Sequence, residues 1–327
     1  MTAAAHDPDQ AAADRRRFWQ GPDYGALLPL LARLPLPLAY ALSARRGRWH
    51  ARGQRDWVEL ALGFPYIGER TGNALRELAP AADPAAIDAL VTERYRTTAR
   101  EELEGQLAID GRLDRLQFDL RAVQALQAAR TPGRGLVVVL AHFDNLFIAL
   151  VGLARAGATV SLMTSPIQQD PRVHPRLRRF FREKYRRYEE QMNGGRLLET
   201  SSAARAAFLA ALARGEAVAV VSDTPASPDG PGSWMPWFGR MRKLPNSALR
   251  MALDTGSEMV ALLCDSDRRG RFVWHCSPLA DPCGQADGGA AAYAGLFAFL
   301  EPRIRQDPGK WWSAHLLQDF AVAPDRP

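Results

Sequence analysis

The chain is poor in the residues that staple or metallate a fold. Its 327 residues include three cysteines, Cys264, Cys276 and Cys283, all late in the sequence. None of them is spaced as a metal-binding or redox pair. A disulfide framework is therefore excluded, and a reducing compartment is expected. The six histidines are scattered, with no His/Cys/Asp cluster at zinc-ligand spacing, so neither a metal nor a cofactor is expected. Long apolar runs are lacking too. No run reaches the roughly 20 residues of a spanning helix. The nearest, Tyr24 to Leu42, is interrupted by Arg33 and by Pro29, Pro35 and Pro37. No charged–apolar–cleavage pattern opens the chain, so no signal peptide is expected.

What is present is globular and basic. Hydrophobic residues make up 47% and charged residues 24% of the chain, the balance of a protein with a sizeable core. The net charge is +6 and the isoelectric point about 9.5. Such a balance suits an anionic membrane surface, an acidic protein or a phosphate-bearing ligand. Nucleic acid is not expected, because no nucleic-acid-binding motif accompanies the charge. The Tyr24–Leu42 segment is flanked by "RRRFW" and "SARRGRWHARGQR". Lying in a membrane interface, it would bring those arginines to anionic headgroups; the alternative is a pair of core helices with basic flanks.

Periodicity divides the chain into a disordered stretch over residues 1–15 and one domain over 16–327. Residues 16–130 form a mainly helical preface, with Asp83-Pro84 as an N-cap and first helical residue. Residues 131–327 form an α/β core. Strands are expected at Leu136–Ala141, Thr159–Met163 and Ala217–Ser222, and a hairpin at Met259–Cys264 and Phe272–Cys276. Helices are expected at Asn145–Ala156, Arg176–Glu190, Ser201–Arg214, Ser247–Thr255 (closed by Gly256) and Ala290–Gln306. Near-continuous apolar strands alternating with helices predict a mostly parallel central sheet flanked by helices, with a helical N-terminal layer.

Three places carry chemistry. The stretch "LVVVLAHFDNLFIAL" puts His142 directly after a buried strand, with Asp144 where a helix N-cap belongs. In "VSDTPASPDGPGSWMPWFGR" a strand ends at Asp223 and a Pro/Gly-rich loop follows. Ligands of open α/β sheets bind beyond the carboxyl ends of strands, where both His142 and Asp223 lie. Trp234, Trp237, Phe238 and Gly239 then line a pocket or form a plain hydrophobic plug. The third place is the helix after Arg172: eight Arg/Lys and one Glu fall between Arg172 and Arg187, opposite a stripe of Leu177, Phe181, Tyr185 and Tyr188. It is either a solvated face or a dock for phosphate, membrane or an acidic carrier protein. Thr164, Arg196 and His315 are further candidates for substrate contact.

In this order the pieces resemble the bacterial lipid A late acyltransferases of the lysophospholipid acyltransferase superfamily, from about Leu27 to Phe320. The blocks are "LLARLPLPLAYAL", "GRGLVVVLAHFDN", "SDTPASPDGPGSWMPWFG", "LRMALDTGSEMVALLC" and "LEPRIRQDPGKWWSAH". The resemblance implies an acyl thioester co-substrate on an acyl carrier protein or coenzyme A, and a peripheral place on the cytoplasmic face of the inner membrane. It implies that His142 is a general base, with Asn145 shaping the site. It also implies a His-x4-Asp/Glu motif, yet the fifth residue after His142 is Phe147. Three readings stay open. A carboxylate from elsewhere, Asp144 or Asp223, replaces the acid. Alternatively the acceptor is an amine, which asks less of the base. Or catalysis is lost and the fold binds acyl chains, a carrier or a membrane. The family's Tyr-Arg-Pro and C-terminal His-Arg-Arg are here Thr164-Ser165-Pro166 and His315-Leu316-Leu317.

Overall fold

The computed structural model describes residues 18–56, 66–164, 169–227 and 229–324. The expected disorder of residues 1–15 and the dipeptide Ser165-Pro166 lie outside them. Two adjacent strands form the centre of the sheet: β2 (Leu136–Leu140) and β5 (Ala217–Val221), parallel and in register from Leu136↔Ala217 to Leu140↔Val221. β2 alternates its side chains between two cores. Leu136, Val138 and Leu140 face one, Val137 and Val139 the other, and all five are buried. That two-sided burial is why β2 reads as an unbroken apolar run.

Around this pair the sheet runs β1 (Gln117–Asp119), β9 (Arg271–Cys276), β8 (Glu258–Ser266), β2, β5, β3 (Val160–Thr164) and β4 (Leu197–Glu199). Only the β8–β9 contact is antiparallel, the expected hairpin; the other pairings are parallel. The mostly parallel α/β sheet with its helical N-terminal region is thus the observed fold. β1 and β4 are three residues each, too short to leave a periodic signal.

Before the sheet come α1 (Leu28–Arg33), entered through a π-helical turn at Asp23–Leu27, then α2 (Leu36–Gly53), α3 (Ile67–Leu78) and α4 (Pro84–Ile109). The Asp83 side chain caps α4 at the Ala86 N–H, 2.7 Å away, with Pro84 as the first helical residue. Charge ties α4 to the helices before it. Its Glu102 accepts from Arg46 and Tyr24, and Arg46 also pairs with Asp23 at 2.6 Å. Its Arg94 pairs with Asp56. α5 (Arg121–Ala129), α6 (Leu146–Arg155), α7 (Pro175–Glu189), α8 (Ser202–Ala213), α9 (Ser247–Thr255) and α10 (Ala290–Gln306) follow.

Two expectations are corrected. Asp144 does not cap α6. It sits at φ +50°, and the cap is Asn145, whose Oδ1 accepts the Phe147 and Ile148 N–H groups at 3.1 and 3.0 Å. The glycine-rich loop after Asp223 contains an antiparallel hairpin, β6 (Ser233–Trp237) and β7 (Arg240–Leu244). Phe238 and Gly239, expected at the substrate, are its two-residue turn. Both have positive φ, 52° and 76°, which such tight hairpins require.

Candidate active site

The β2–β5 register builds the site. Leu140 and Val221 are paired, and two residues beyond each stand His142 and Asp223. Two parallel strands that end level present corresponding side chains side by side. Asp223 Oδ1 lies 2.8 Å from His142 Nδ1, and Oδ2 accepts the His142 backbone N–H at 2.9 Å. Oδ2 also accepts from Trp311 Nε1 and Ser313 Oγ, both at 2.6 Å. Asp223 is fully buried. Burial raises its pKa, but the His142 charge and the bonds from His142, Ser313 and Trp311 outweigh that and hold it below the ordinary carboxylate value.

This geometry assigns the imidazole's protons. Asp223 carries charge and accepts, so Nδ1 holds the hydrogen and Nε2 keeps its lone pair. Among the described residues nothing bonds Nε2. The ring is tilted edge-on against Trp312, with centroids 4.3 Å apart, and the Trp312 N–H donates to the His142 carbonyl at 3.0 Å. The arrangement can take a proton at Nε2 and stabilise the resulting imidazolium with a buried carboxylate.

His142 lines a cavity of about 380 Å³. One wall is apolar and comes from the sheet end and α6: Leu146, Phe147, Leu162, Met163 and Val220. The lining also carries two ion pairs, Asp56–Arg94 and Glu101–Lys184. Burial raises the Glu101 pKa against the lowering effect of Lys184. Thr164 lines the same cavity, as do the hydroxyls of Thr200, Thr224 and Ser247. Phe147 stands where a motif acid was expected. It is buried, stacked on Tyr188 at 5.0 Å and 13°, with the Lys184 ammonium 4.7 Å from its ring centre.

The other candidates lie elsewhere. Asp144 is not a partner of His142. Buried, it accepts from Arg100 at 2.9 Å and from the Ser266 N–H and Oγ at 2.7 Å. Asn145 is a buried cap and does not line the cavity. Arg196 is exposed and leans on Glu189 at 3.5 Å. Trp234 points outward from the hairpin. Trp237 and Phe238 form the hydrophobic plug, packing on each other and on Trp311, the residue that donates to Asp223. His315 is buried away from the cavity; burial foremost, then the Arg94 charge, lowers its pKa to about 3. Sequence reasoning passed over Trp311, Trp312 and Ser313 as site residues, although "KWWSAH" places two indoles and a hydroxyl in one short turn. It also took Lys184 for part of a surface run. Among the described residues no three His, Cys, Asp or Glu side chains gather as metal ligands.

The model of the bacterial lipid A biosynthesis acyltransferase family matches residues 90–317. The chain belongs to this family. Membership places it among acyltransferases that act on a lipid acceptor, and the matched span holds His142, Asp223 and the Trp311–Ser313 turn. No curated protein matches the chain.

Proposed function

We propose that this acyltransferase-family chain moves a fatty acyl group from a thioester of acyl carrier protein or coenzyme A to a hydroxyl or amine of a lipid-like acceptor. The observation that carries the reading is the His142–Asp223 bond at the edge of a largely apolar cavity. Nε2 takes the acceptor's proton as its oxygen or nitrogen attacks the thioester carbonyl. The C–S bond then breaks, and the imidazolium returns the proton to the leaving thiolate. Asp223 replaces the acid that Phe147 has displaced. The reading as a binding module without catalysis rests on Phe147 at the motif position, and the Asp223 carboxylate beside His142 weighs against it.

The surface supports a peripheral place at the cytoplasmic face of a membrane. No helix among the described residues is long and apolar enough to cross one. Phe18, Trp19, Leu27, Leu30, Leu38 and Trp49 are nevertheless exposed on the N-terminal segment, α1 and α2. Trp19, Leu27, Arg45 and Trp49 surround one shallow apolar hollow. Exposed aromatics beside the exposed Arg45 suit an anionic interface.

The test compares the lipids of cells with and without the protein by mass spectrometry. The acylated product it reveals then serves to assay purified His142→Ala. Loss of transfer with an unchanged melting temperature is expected. Full transfer by the folded variant would sink the assignment.

A further inference from the structure

We propose that Glu104 is a positioning residue for His142, acting through the cap of α6. The proposal rests on reading His142 as the base. The turn that carries His142 from β2 into α6 passes through Asp144 at φ +50°. The left-handed region is less favourable for a residue with a side chain than for glycine, so the turn has to be held. It is held from outside by the 310–312 segment: the Asp144 N–H donates to the Lys310 carbonyl at 2.9 Å, and Trp312 donates to His142. From inside it is held by two side chains one turn apart on α4. Arg100 grips Asp144 at 2.9 Å, and Glu104 accepts from Asn145 Nδ2 at 2.7 Å.

The polarity of that second contact is fixed. Asn145 Oδ1 already accepts two N–H groups at the head of α6, so its amide can offer Glu104 only the NH₂. Glu104 is wholly buried, and its other oxygen accepts the Tyr40 hydroxyl from α2 at 2.8 Å. It does not line the cavity and has no access to substrate. Its effect travels to the turn, and so to the imidazole, through Asn145 and through its 3.9 Å ion pair with Arg100, which holds Asp144. A displacement of about 1 Å at a reacting group costs on the order of 10² in rate.

The test is a set of variants assayed for acyl transfer in parallel with His142→Ala. Glu104→Met fills the space but accepts nothing. It should lower kcat about 30- to 100-fold with KM within about twofold. Glu104→Gln should keep kcat within about threefold, because its Oε1 can accept from Asn145 while its NH₂ meets the Tyr40 oxygen. Should Glu104→Met fail to fold, Asn145→Ser serves: serine still caps a helix but offers Glu104 no NH₂, and the same fall in kcat is expected. Wild-type kcat in folded Glu104→Met or Asn145→Ser overturns the proposal, as does an equal loss in the Gln and Met variants. If those variants are active while His142→Ala is dead, only the Glu104 proposal falls. If His142→Ala is fully active, the base assignment falls, and Glu104 has no base to position.

Discussion

At the scale of single residues, the site turns on which oxygen of Asp223 does what. Oδ1 faces the imidazole, while Oδ2 is filled by three donors from His142, Trp311 and Ser313. The carboxylate therefore cannot rotate to offer anything but Oδ1 to Nδ1. Asp223→Asn breaks this arrangement. Three donors hold the amide oxygen at the Oδ2 position, so the NH₂ is turned to Nδ1 and forces the proton onto Nε2. Nε2 then has no lone pair with which to act as the proposed base. In the serine protease triad the same change costs about 10⁴ in kcat. We expect a fall of about 10³–10⁴ here with little change in KM, read from steady-state transfer. A loss below about tenfold would mean that another group orients His142.

At the scale of elements, the helices and strands that carry the site were legible where their signal was local. β2, β5 and α6 announced themselves by apolar runs and by a polar residue at the helix head, although Asp144 and Asn145 exchanged roles there. What the sequence hid was pairing. Nothing in the stretch after His142 shows that β5 lies beside β2, so Asp223 could be named only as one of two candidates. The Trp–Trp–Ser turn was hidden for the same reason, since its value lies in what it touches. α7 shows the opposite limit. Its stripe of Leu177, Phe181 and Tyr188 is buried as expected, but Lys184 turns inward to Glu101, and Arg186 and Arg187 are engaged by Glu183 and Glu190. Arg179 and Arg182 remain exposed, without an ion pair among the described residues, whereas Arg178 is half-buried. Arg179→Glu with Arg182→Glu should therefore weaken a contact made through free charge. If that contact is an acidic carrier protein, its apparent affinity falls, more so at low salt, while turnover at saturating donor holds. If it is lipid, binding to anionic vesicles falls instead. No change in either measurement would make α7 a solvated surface.

At the scale of the whole molecule, buried groups pull stability both ways as pH falls. Burial raises the Glu104 pKa to about 8, so the fold takes up that proton first and gains stability between about pH 8 and the ordinary carboxylate value. His315 works the other way. His315 protonates only near pH 3 when folded, against about 6.5 when unfolded, because burial and Arg94 disfavour its charge. Between those values the unfolded chain binds the extra proton. The contribution of His315 is therefore complete above about pH 6.5 and declines as pH falls towards 3, by up to about 1.4 kcal/mol per pH unit. Asp223, also lowered in the fold, adds a loss in the same direction once pH falls below the ordinary carboxylate value. Relative to wild type, His315→Leu should lose less melting temperature, or gain more, as pH falls from 6.5 to 4. An unchanged slope would show that His315 is not the group responsible.

The level ending of β2 and β5 has a consequence for how such a protein can diversify. His142 and Asp223 are 81 positions apart, and the stretch between them includes α6, β3, α7, β4 and α8. Neither partner's place depends on the length of that stretch; the pairing of two strands and the contacts of α4 and the 310–313 segment set both. The same stretch supplies Phe147, Leu162, Thr164, Phe181, Lys184 and Tyr185 to the cavity. The proposed proton-transfer pair and much of the cavity lining thus lie on separate pieces of chain. A segment from β3 to α8 taken from a relative could be grafted between unaltered β2 and β5 to exchange the shape of the bound chain while the proton-transfer pair stays in place.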